Sequence, residues 1–532
     1  MGIQIEDEFF IFKDDDHFTK NPDVVQLPDG RLLCVFCLDD RHWAQEYAKI
    51  TLIESRDEGK NWGNARTISE SYPVKGDERW VTPRISRLSD GRLVIICDQD
   101  DNSHCHEDQP PGIYAWWSED EGETWEGPQA TGIPGIEPDR IRELEDGTLI
   151  AGSHYMFKET GKLGQVVTHS FDGGETWEGP SVVASDPVHN YCEGAIVPLQ
   201  SGKLACIMRE NNHNNYPSYI SFSHDKGRTW SPPVRAPFSG DRPFAEQLPD
   251  GRLLVTYRNQ GSTPGTCAWL GEVEQESGYK IAKDRGGKSH QVSVGESEAE
   301  GTEGEGIDFQ NVSLKDENLT IEGAGGIVRY LIYPPDGPHS QVYFRAKLKA
   351  DGESGEGCGT IQIARLGIQL RIYSDRLELE PGNGVEYVAE ADLSNWRELL
   401  IEYRSGKVEI YLDGQSLIRD LMYEETLWPA RSFFGSDEGQ SGRIAFSEIE
   451  YGVKNYHDSD YHWYWNGQAG SLPDSYSKKR WVHLEHNTNP SPDNGYSSWV
   501  RLPDGRIFVA DYTNKEAPAG KAYLKGYYVK IK

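Results

Sequence analysis

Apolar residues recur along this chain in short alternating runs, and turn signals separate the runs at a regular spacing. Alternation with a period of two predicts β-strands that bury one face. Six of the breaks read Leu-x-Asp-Gly-x-Leu or a close variant, and each is followed by a short apolar strand. The six copies are Leu27–Leu32, Leu88–Leu93, Leu144–Leu149, Leu199–Leu204, Leu248–Leu253 and Leu502–Ile507. Each copy predicts a strand, a tight hairpin and a second strand.

A second motif alternates with the first, and we call its copies the Asp-Trp turns. Its pattern is Ser-x-Asp-x-Gly-x-Thr-Trp, with Asn in place of Thr in the first copy. The copies are Ser55–Trp62, Ser118–Trp125, Ser170–Trp177 and Ser223–Trp230. The Asp side chain is expected to accept backbone N–H groups inside the turn, Gly to take a positive φ, and Trp to pack between neighbouring sheets.

The two motifs together predict an all-β fold, a six-bladed β-propeller. Repetition of one supersecondary unit is the signature of a repeat architecture. Each unit provides two strands around the Asp-Gly turn, and between successive copies comes another strand and, four times, an Asp-Trp turn. Four strands a unit and six units describe a propeller of six blades. Function in such a ring is expected where the inner strands meet, on the face opposite the Asp-Trp turns.

The regular spacing is interrupted between Gly251 and Gly505. Residues 274–306 are polar and acidic, which is typical of a linker. Alternation then resumes with another rhythm, and the segment Trp396–Leu417 resembles a concanavalin-like (laminin-G-like) jelly-roll. We therefore predict propeller blades over 1–275, an inserted β-sandwich over 276–455 and the remainder of the propeller over 456–532. The resemblance leaves a carbohydrate-binding role and a purely structural role open for the insert.

Charge and composition exclude several classes of partner. The formal net charge is −32, which argues against nucleic acid and against an anionic membrane surface. The amino terminus lacks the charged and then apolar pattern of a signal peptide, so a cytoplasmic chain is expected, or a secreted one if a signal peptide has been removed. The eight cysteines include Cys34 and Cys37, whose side chains point to opposite faces of a strand. We expect reduced thiols, no metal site and no cofactor; the oligomeric state stays open.

The Asp-Trp turns resemble the Asp-box of the sialidase (neuraminidase) superfamily. The resemblance covers roughly residues 15–275 and 455–532, and the motif itself indicates a fold rather than an activity. In that family a tyrosine nucleophile precedes the hairpin of the last blade, and Tyr496 in Asn-Gly-Tyr-Ser-Ser matches it. A carboxylate nucleophile would be repelled by the carboxylate that a sialic acid carries on its anomeric carbon, whereas a neutral tyrosine is not. The family also places a glutamate that takes the tyrosine's proton at the start of the fourth blade, where Glu193 stands.

The resemblance also implies the groups that hold the substrate. Arg209 and Arg258 each end a strand, and they match arginines that grip the substrate carboxylate with planar guanidinium forks. The first blade departs from the family, because Lys20 stands where an arginine completes the triad. After the next strand come Arg41 and Glu46, and Glu46 is the predicted acid/base in place of the family's aspartate.

Other polar residues at strand ends are secondary candidates. They are Glu137, Arg84, His104, His154 and His213. The histidines, together with His483 and His486, offer an alternative acid/base set for β-elimination of a uronic acid or for a non-sialic glycosidase.

The resemblance implies an exo-acting glycoside hydrolase that removes a terminal acidic sugar, sialic acid or a relative, from a glycan. Tyr496 would attack the anomeric carbon, Glu193 would assist it, and Glu46 would protonate the leaving oxygen. Two alternatives stay open: a propeller polysaccharide lyase or other glycosidase that uses the histidines, and a carbohydrate-binding protein without catalysis.

Overall fold

The computed structural model describes most of the chain in two compact units. Its described residues are 2–100, 104–212, 218–260, 264–277, 294–298, 311–325, 327–332, 341–363, 368–380, 387–404, 406–422, 433–437, 439–456, 459–473 and 480–532. The first unit comprises Met1–Gly278 with Arg480–Lys532, and the second comprises Tyr279–Lys479.

Six antiparallel sheets form the blades of the first unit, so the predicted all-β fold class is confirmed. From the innermost strand outwards, blade 1 is Phe18–Gln26, Leu32–Asp39, Ala48–Ser55 and Arg66–Ser71. Blade 2 is Arg79–Trp80 with Arg84–Arg87, then Leu93–Asp100, Ile113–Ser118 and Glu126–Ala130. Blade 3 is Arg142–Glu143, Leu149–Met156, Leu163–Ser170 and Glu178–Ala184. Blade 4 is Tyr191–Pro198, Leu204–Glu210, Tyr219–Ser223 and Val234–Arg235. Blade 5 is Asp241–Gln247, Leu253–Asn259, Gly265–Gly271 and Trp481–His486. Blade 6 is Asn494–Arg501, Ile507–Thr513, Tyr523–Ile531 and Ile3–Phe12.

Both ends of the chain build blade 6. Strand Ile3–Phe12 pairs antiparallel with Tyr523–Ile531, in a register that runs from Ile3 opposite Ile531 to Phe12 opposite Leu524. The amino-terminal strand thus covers an edge that the last hairpin would otherwise leave unpaired, and it closes the ring.

The Asp-Trp turns have the hydrogen bonds that the sequence predicts. In the second copy, the Asp120 carboxylate accepts the backbone N–H of Thr124 at 2.9 Å and the Ser118 hydroxyl at 2.9 Å. The indole of Trp125 donates to the carbonyl of Gly122 at 3.1 Å, and its ring packs on the apolar cluster between blades 1 and 2. The turn therefore holds its tryptophan against the neighbouring blade.

Strand register assigns the two faces of the ring. In blade 1, Phe18 lies opposite Asp39, so the start of the inner strand adjoins the end of the second strand. Ser55, which opens an Asp-Trp turn, lies opposite Leu32 and thus at the other face. The starts of the inner strands gather on the face away from the Asp-Trp turns, which is where the sequence places the site.

Five blades share a left-handed residue near the start of the inner strand, and we call these residues the axial bulge residues. A non-glycine residue with positive φ costs roughly 1–3 kcal/mol and is concentrated at functional sites. In four of the five blades a register shift in the pairing accompanies the residue, so the strand bulges there. The five are Asn21 at φ 56°, Glu137 at 48°, Glu193 at 49°, Arg242 at 44° and Tyr496 at 52°.

The second unit contains two further sheets. One has seven strands: Val294–Glu298, Val328–Ile332, Phe433–Ser436, Gly359–Ile363, Ile368–Ile372, Arg376–Glu380 and Tyr387–Glu390. The other has eight: Val312–Lys315, Asn318–Glu322, Arg443–Tyr456, Gln341–Asp351, Arg397–Arg404, Lys407–Leu412, Gln415–Met422 and Ser459–Asn466. Phe434 of the first sheet contacts Phe344 and Phe446 of the second with ring centroids 6.0 and 5.4 Å apart, so the sheets pack face to face.

The insertion begins and ends inside blade 5, between its third and fourth strands. The sequence assigns residues from 456 onward to the propeller, and the structure corrects this boundary. Strand Ser459–Asn466 pairs with Arg443–Tyr456, with Trp463 opposite Tyr451, and the side chains of Trp463 and Trp465 are buried in the second unit. The run His-Trp-Tyr-Trp is therefore an alternating strand rather than a return loop.

Few other elements are present in the described residues. One short α-helix covers Val273–Glu276, and 3-10 turns cover Pro73–Lys75, Gly323–Gly325 and Gly467–Ala469. None of these helices is long and apolar enough to cross a membrane. The eight cysteines lie in the described residues and form no disulfide there.

Candidate active site

Tyr496 and Glu193 meet at the centre of the ring. The Tyr496 hydroxyl donates to Glu193 Oε1 at 2.9 Å, and the side chains come from blades 6 and 4. The two residues lie 303 positions apart in sequence, and both are axial bulge residues. The left-handed backbone turns each side chain out of the alternation of its strand, and this bulge is what the two residues have in common.

Glu193 is enclosed by cationic and hydrogen-bonding groups. Its Oε1 accepts Arg209 Nη1 at 2.8 Å, and its Oε2 accepts the backbone N–H of Arg242 at 2.9 Å. Burial by itself would raise the pKa of this carboxyl, but Arg209, Arg258 and Arg242 lower it below its usual range. Glu193 is therefore a carboxylate at neutral pH.

Glu137 forms a carboxyl–carboxylate pair with Glu193. The two side chains share a hydrogen bond, and burial together with the charge of Glu193 raises the pKa of Glu137 well above its usual range. One proton therefore stays on the pair at neutral pH, and Glu137 holds it. The secondary candidate Glu137 thus contacts the main one, Glu193.

Burial, and after it the two glutamates, raises the pKa of the Tyr496 phenol well above its usual value. The phenol is therefore neutral at neutral pH. The Arg258 guanidinium lies over the Tyr496 ring, 5.0 Å from its centroid, and favours negative charge on the oxygen. Tyr496 has both a proton acceptor and a stabilising cation for a phenolate that forms during a reaction.

Asp241 holds the arginines of blades 4 and 5 in place. Arg209 Nε lies 3.0 Å from Asp241 Oδ1, and Arg258 Nη2 lies 3.4 Å from Asp241 Oδ2. Arg209 and Arg258 each stand one residue before the end of the second strand of a blade, so the register places both at the site face. Asp241 escaped the sequence analysis because it carries no motif of its own.

Arg242 is a site residue that sequence reasoning missed. Its guanidinium donates to the carbonyls of Glu137 at 3.0 Å and Pro138 at 2.6 Å, and burial leaves it 3% exposed. A signal was available, since Arg242-Pro243 stands at the same place in blade 5 as Glu137-Pro138 in blade 3 and Asn21-Pro22 in blade 1. Comparing the starts of the inner strands would have found it.

Lys20 does not stand free in the site. Its ammonium lies 3.0 Å from Asp39 Oδ2, and the side chains of both residues are buried, with exposures of 5% and 0%. Burial raises the pKa of Asp39 to about 6, although Lys20 opposes the shift. The resemblance predicts that Lys20 binds the acidic group of the substrate. In the structure, the Lys20 ammonium is already paired with the internal carboxylate of Asp39.

The structure does not bring Arg41 or Glu46 to Tyr496. Arg41 is half-exposed and pairs with Asp40, whose carboxylate also accepts the backbone N–H groups of Gln45 and Glu46. The loop folds around Asp40, and the Glu46 side chain is exposed to solvent. Among the described residues no hydrogen bond or ion pair joins Arg41 or Glu46 to the Tyr496–Glu193 pair.

The candidate histidines come from several blades, and His483 and His486 lie on the fourth strand of blade 5 with ring centroids 6.2 Å apart. His154 is buried, and its Nδ1 accepts the backbone N–H of Glu193 at 3.2 Å; burial lowers its pKa to about 4, so it supports the glutamate as a neutral ring. His104 bonds Glu78 and the carbonyl of Pro110. His213 lies outside the described residues. Among the described side chains, no group of three or more His, Cys, Asp or Glu could hold a metal ion.

Arg84 lies buried on the inner strand of blade 2. Its Nη1 is 3.7 Å from Asp23 Oδ1, and Asp23 is also bound by Arg140 at 2.6 Å. Burial, and after it the charge of Arg242, lowers the pKa of Arg84 to about 10, which leaves it charged at neutral pH. Arg84 thus belongs to a buried group of charged side chains, with Asp23 and Arg140, rather than to the Tyr496–Glu193 contacts.

Comparisons with known sequences now bear on this site. The profile of the BNR repeat-like domain matches residues 101–265. A curated sialidase from Paraclostridium sordellii is 26% identical over 258 residues, which make up 46% of this chain and 53% of that protein. Residues 101–265 are thus similar to BNR repeat-like domains, and part of the chain is similar to a sialidase. The chain spans about half the length of that curated relative.

Solved structures overlap a larger share of the chain at lower identity. A Dyadobacter fermentans protein of unknown function overlaps with a TM-score of 0.46 at 17% identity, over 63% of this chain and 96% of that one. A Trypanosoma rangeli sialidase bound to the inhibitor DANA overlaps with a TM-score of 0.39 at 13% identity, over 84% and 96% of the chains. An α-L-arabinanase from Penicillium chrysogenum, complexed with arabinobiose, gives 0.40 at 18% identity, over 62% and 94%. Overlaps of this extent carry no information about chemistry.

Proposed function

We propose that this protein is an exo-acting glycoside hydrolase that removes a terminal acidic sugar from a glycan, with Tyr496 as its nucleophile. The observation that carries the proposal is the 2.9 Å hydrogen bond from the Tyr496 hydroxyl to the Glu193 carboxylate, at the centre of a ring of arginines. A buried, neutral phenol beside an ionised carboxylate is a nucleophile paired with its base. Sialidases are glycosidases that use tyrosine in this way.

The charges around Tyr496 support an anionic substrate group. The guanidiniums of Arg209, Arg242 and Arg258 surround the ionised carboxylate of Glu193, while the raised pKa keeps Glu137 neutral. An anionic group of a substrate would meet these guanidiniums beside Tyr496. A guanidinium fork favours the planar carboxylate of an acidic sugar.

The proton of Tyr496 has a defined destination. As the phenol oxygen attacks the anomeric carbon, its proton passes to Glu193 Oε1, and the Glu193–Glu137 pair then carries two protons. The strongly ionised state of Glu193 makes it a weak base at rest. Entry of a substrate carboxylate would draw on the same arginines, lessen their hold on Glu193 and make it a better proton acceptor.

The described contacts give less support to the two alternatives. A lyase that uses histidines needs a base poised near neutral pH, and His154 has its pKa lowered to about 4 while it bonds the backbone of Glu193. A binding protein without catalysis has no use for a tyrosine–carboxylate pair held on two left-handed bulges.

The test is a panel of aryl glycosides and natural oligosaccharides that end in sialic, other ulosonic, uronic or neutral sugars, with product analysis. We expect release of a saturated acidic monosaccharide, and loss of turnover by about three orders of magnitude or more in Tyr496→Phe. Tyr114→Phe, a tyrosine on the third strand of blade 2, is the matched control. An unsaturated product would indicate a lyase, and binding without any product would indicate a lectin; either outcome would remove the proposal.

A further inference from the structure

A histidine–aspartate pair lies at the junction of blades 1 and 6, beside the Tyr496 site. His42 Nδ1 is 2.7 Å from Asp493 Oδ2, and the hydroxyl of Tyr512 donates to Asp493 Oδ1 at 2.6 Å. The hydrogen bond from His42 is among the contacts that lower the pKa of Asp493 against its burial, so the aspartate is ionised. An ionised carboxylate on Nδ1 fixes that nitrogen as the N–H and leaves Nε2 for other work.

The pair opens onto the site face of the propeller. His42 follows the second strand of blade 1, and Asp493 immediately precedes the inner strand of blade 6, three residues before Tyr496. Aromatic rings connect the His42–Asp493 pair to Tyr496. The Phe18 ring contacts both His42 and Tyr512, and the Tyr512 ring lies 6.5 Å from that of Tyr496. The His42 side chain is 35% exposed, and its Nε2 has no hydrogen-bond partner among the described residues.

Trp43 gives this place a second feature. Its side chain is 54% exposed, next to His42. The guanidinium of Arg79 lies 5.4 Å from the Trp43 ring centroid, and the ammonium of Lys20 lies 5.8 Å from it. Because the Trp43 ring is exposed, burial does not hold it in one orientation. The two nearby cations do so instead. An oriented and exposed indole is a surface on which the apolar face of a sugar ring stacks.

We propose that His42 is the general acid/base of the reaction and that Trp43 holds the sugar on the leaving-group side of the scissile bond. This inference rests on the proposed function and gives the acid/base role to His42 in place of Glu46. The charged groups that face His42 are the Asp493 carboxylate, which orients it, and the Lys20 ammonium, which binds its backbone carbonyl. Asp493 acts through His42 and is a positioning residue.

The steps balance with these groups alone. In the first step, Tyr496 Oη bonds to the anomeric carbon while the bond from that carbon to the glycosidic oxygen breaks. The oxygen keeps the electron pair and takes the proton from Nε2 of the His42 imidazolium, and the tyrosine proton passes to Glu193. In the second step, water bonds to the anomeric carbon and gives a proton to His42, while the bond to Tyr496 breaks and the phenol regains its proton from Glu193.

A leaving-group series tests the role of His42. A leaving group that departs as a stable anion, such as dinitrophenolate, does not need a proton, whereas a sugar alcohol does. We expect His42→Gln to lower kcat/KM on a natural disaccharide by about 100-fold or more and on the dinitrophenyl glycoside by less than about fivefold. Azide should restore turnover of the dinitrophenyl substrate and yield a glycosyl azide, because a small anion replaces the water that lacks its base.

The other variants separate catalysis from positioning and from binding. Asp493→Asn should show the same dependence on the leaving group with a smaller loss. Trp43→Ala should raise KM for disaccharides by a larger factor than it lowers their kcat, because the indole binds the leaving-group sugar and takes no part in proton transfer. His224→Gln is the control, an exposed histidine in the Asp-Trp turn Ser223–Trp230 on the opposite face.

Two failures can be told apart. If the unaltered protein cleaves no glycoside, or if Tyr496→Phe keeps full activity, the proposed function itself is wrong. If the unaltered protein is active and Tyr496→Phe is not, while His42→Gln lowers activity on every leaving group equally or not at all, the assignment of His42 is wrong. Unchanged disaccharide KM in Trp43→Ala would remove the binding role of that residue alone.

Discussion

At the scale of single residues, two glutamates differ in protonation because their surroundings differ. Glu193 lies among three guanidiniums and stays ionised, while Glu137 beside it keeps its proton. Pairs of carboxyl groups whose pKa values are pushed apart are how one site provides both a donor and an acceptor. The sequence presents each residue as a single glutamate between uncharged neighbours, in Ile136-Glu137-Pro138 and Cys192-Glu193-Gly194.

The first prediction compares their amides. Glu193→Gln should lower kcat by about 10²–10⁴-fold, because the acceptor of the tyrosine proton is gone. Glu137→Gln should keep most of the activity, because an amide N–H still donates to Glu193. The measurement is kcat and KM for each variant on the best substrate of the panel. Equal losses in the two variants would contradict the assigned roles.

The second prediction concerns pH and stability. The folded-state pKa of Glu137 is raised, so the folded protein keeps a proton that the unfolded chain releases above about pH 4. Its contribution is present below that pH, and the free energy of unfolding falls as pH rises towards the folded-state pKa. Glu137→Gln removes this dependence. Denaturant unfolding between pH 5 and pH 8 should show a shallower decline for the variant than for the unaltered protein, and equal declines would contradict it.

The third prediction concerns Lys20 and Asp39. Removing one partner of a buried ion pair leaves an uncompensated charge, so Lys20→Met should destabilise the protein by about 3–5 kcal/mol. The double variant Lys20→Met/Asp39→Asn should recover much of this loss. A double-mutant cycle in urea measures the coupling. Additive single and double effects would show that the 3.0 Å contact contributes little.

At the scale of elements, one local device recurs, the left-handed residue at the start of an inner strand. It turns Glu193, Arg242 and Tyr496 out of the strand alternation, and Glu137 has the same backbone conformation just before the inner strand of blade 3. A regular strand would place every second side chain against the neighbouring blade. The propeller thus builds its site by disrupting the same position in blade after blade.

The fourth prediction compares two glycines that share a backbone conformation. Gly91 has φ +96° and open space where an alanine would place its methyl group, whereas Gly59 has φ +96° and the Phe508 ring 2.8 Å from that point. Gly91→Ala should cost roughly 1–2 kcal/mol from backbone strain alone. Gly59→Ala adds an overlap with blade 6 and should cost about 1–3 kcal/mol more. Urea midpoints measure both, and equal costs would show that Phe508 moves aside freely.

At the scale of the whole molecule, the insertion interrupts a hairpin and not the ring. Trp269 and Trp481 lie opposite each other in blade 5, although about two hundred residues separate them in sequence. Arg480 pairs with Glu276 at 3.0 Å, so both ends of the insertion meet in the first unit. A short loop would suffice to connect them.

The fifth prediction follows from this geometry. Joining Ser277 to Arg480 with about four glycine and serine residues should give a soluble propeller. It should cleave small aryl glycosides like the full chain, because the described contacts of Tyr496 and Glu193 all lie in the first unit. Circular dichroism and kinetics on aryl substrates measure the outcome. An insoluble product, or a folded product without activity, would show that the propeller needs the inserted residues.

The architecture could be predicted from sequence, because hairpin and Asp-Trp turns are local. Each Asp-Gly turn and each Ser-x-Asp-x-Gly-x-Thr-Trp segment closes hydrogen bonds within a few residues, so its pattern can be read without the rest of the chain. The resemblance to the sialidase superfamily, which these turns carry, then pointed to Tyr496, Glu193, Arg209 and Arg258. Sequence reasoning failed at residue 456, where an aromatic strand and an aromatic loop have similar composition.

Only the tertiary structure decided what the candidate residues contact. The proton on Glu137, the capture of Lys20 by Asp39, the place of Arg242 and the His42–Asp493 pair all depend on side chains that come from different strands or blades. Ionisation follows the charges and solvent within a few ångströms, and ring closure assembles those neighbours from positions up to hundreds of residues apart. The sequence gives the order of residues along the chain. The electrostatic field at an atom depends on all the charges that lie near it in space, whatever their order in the sequence.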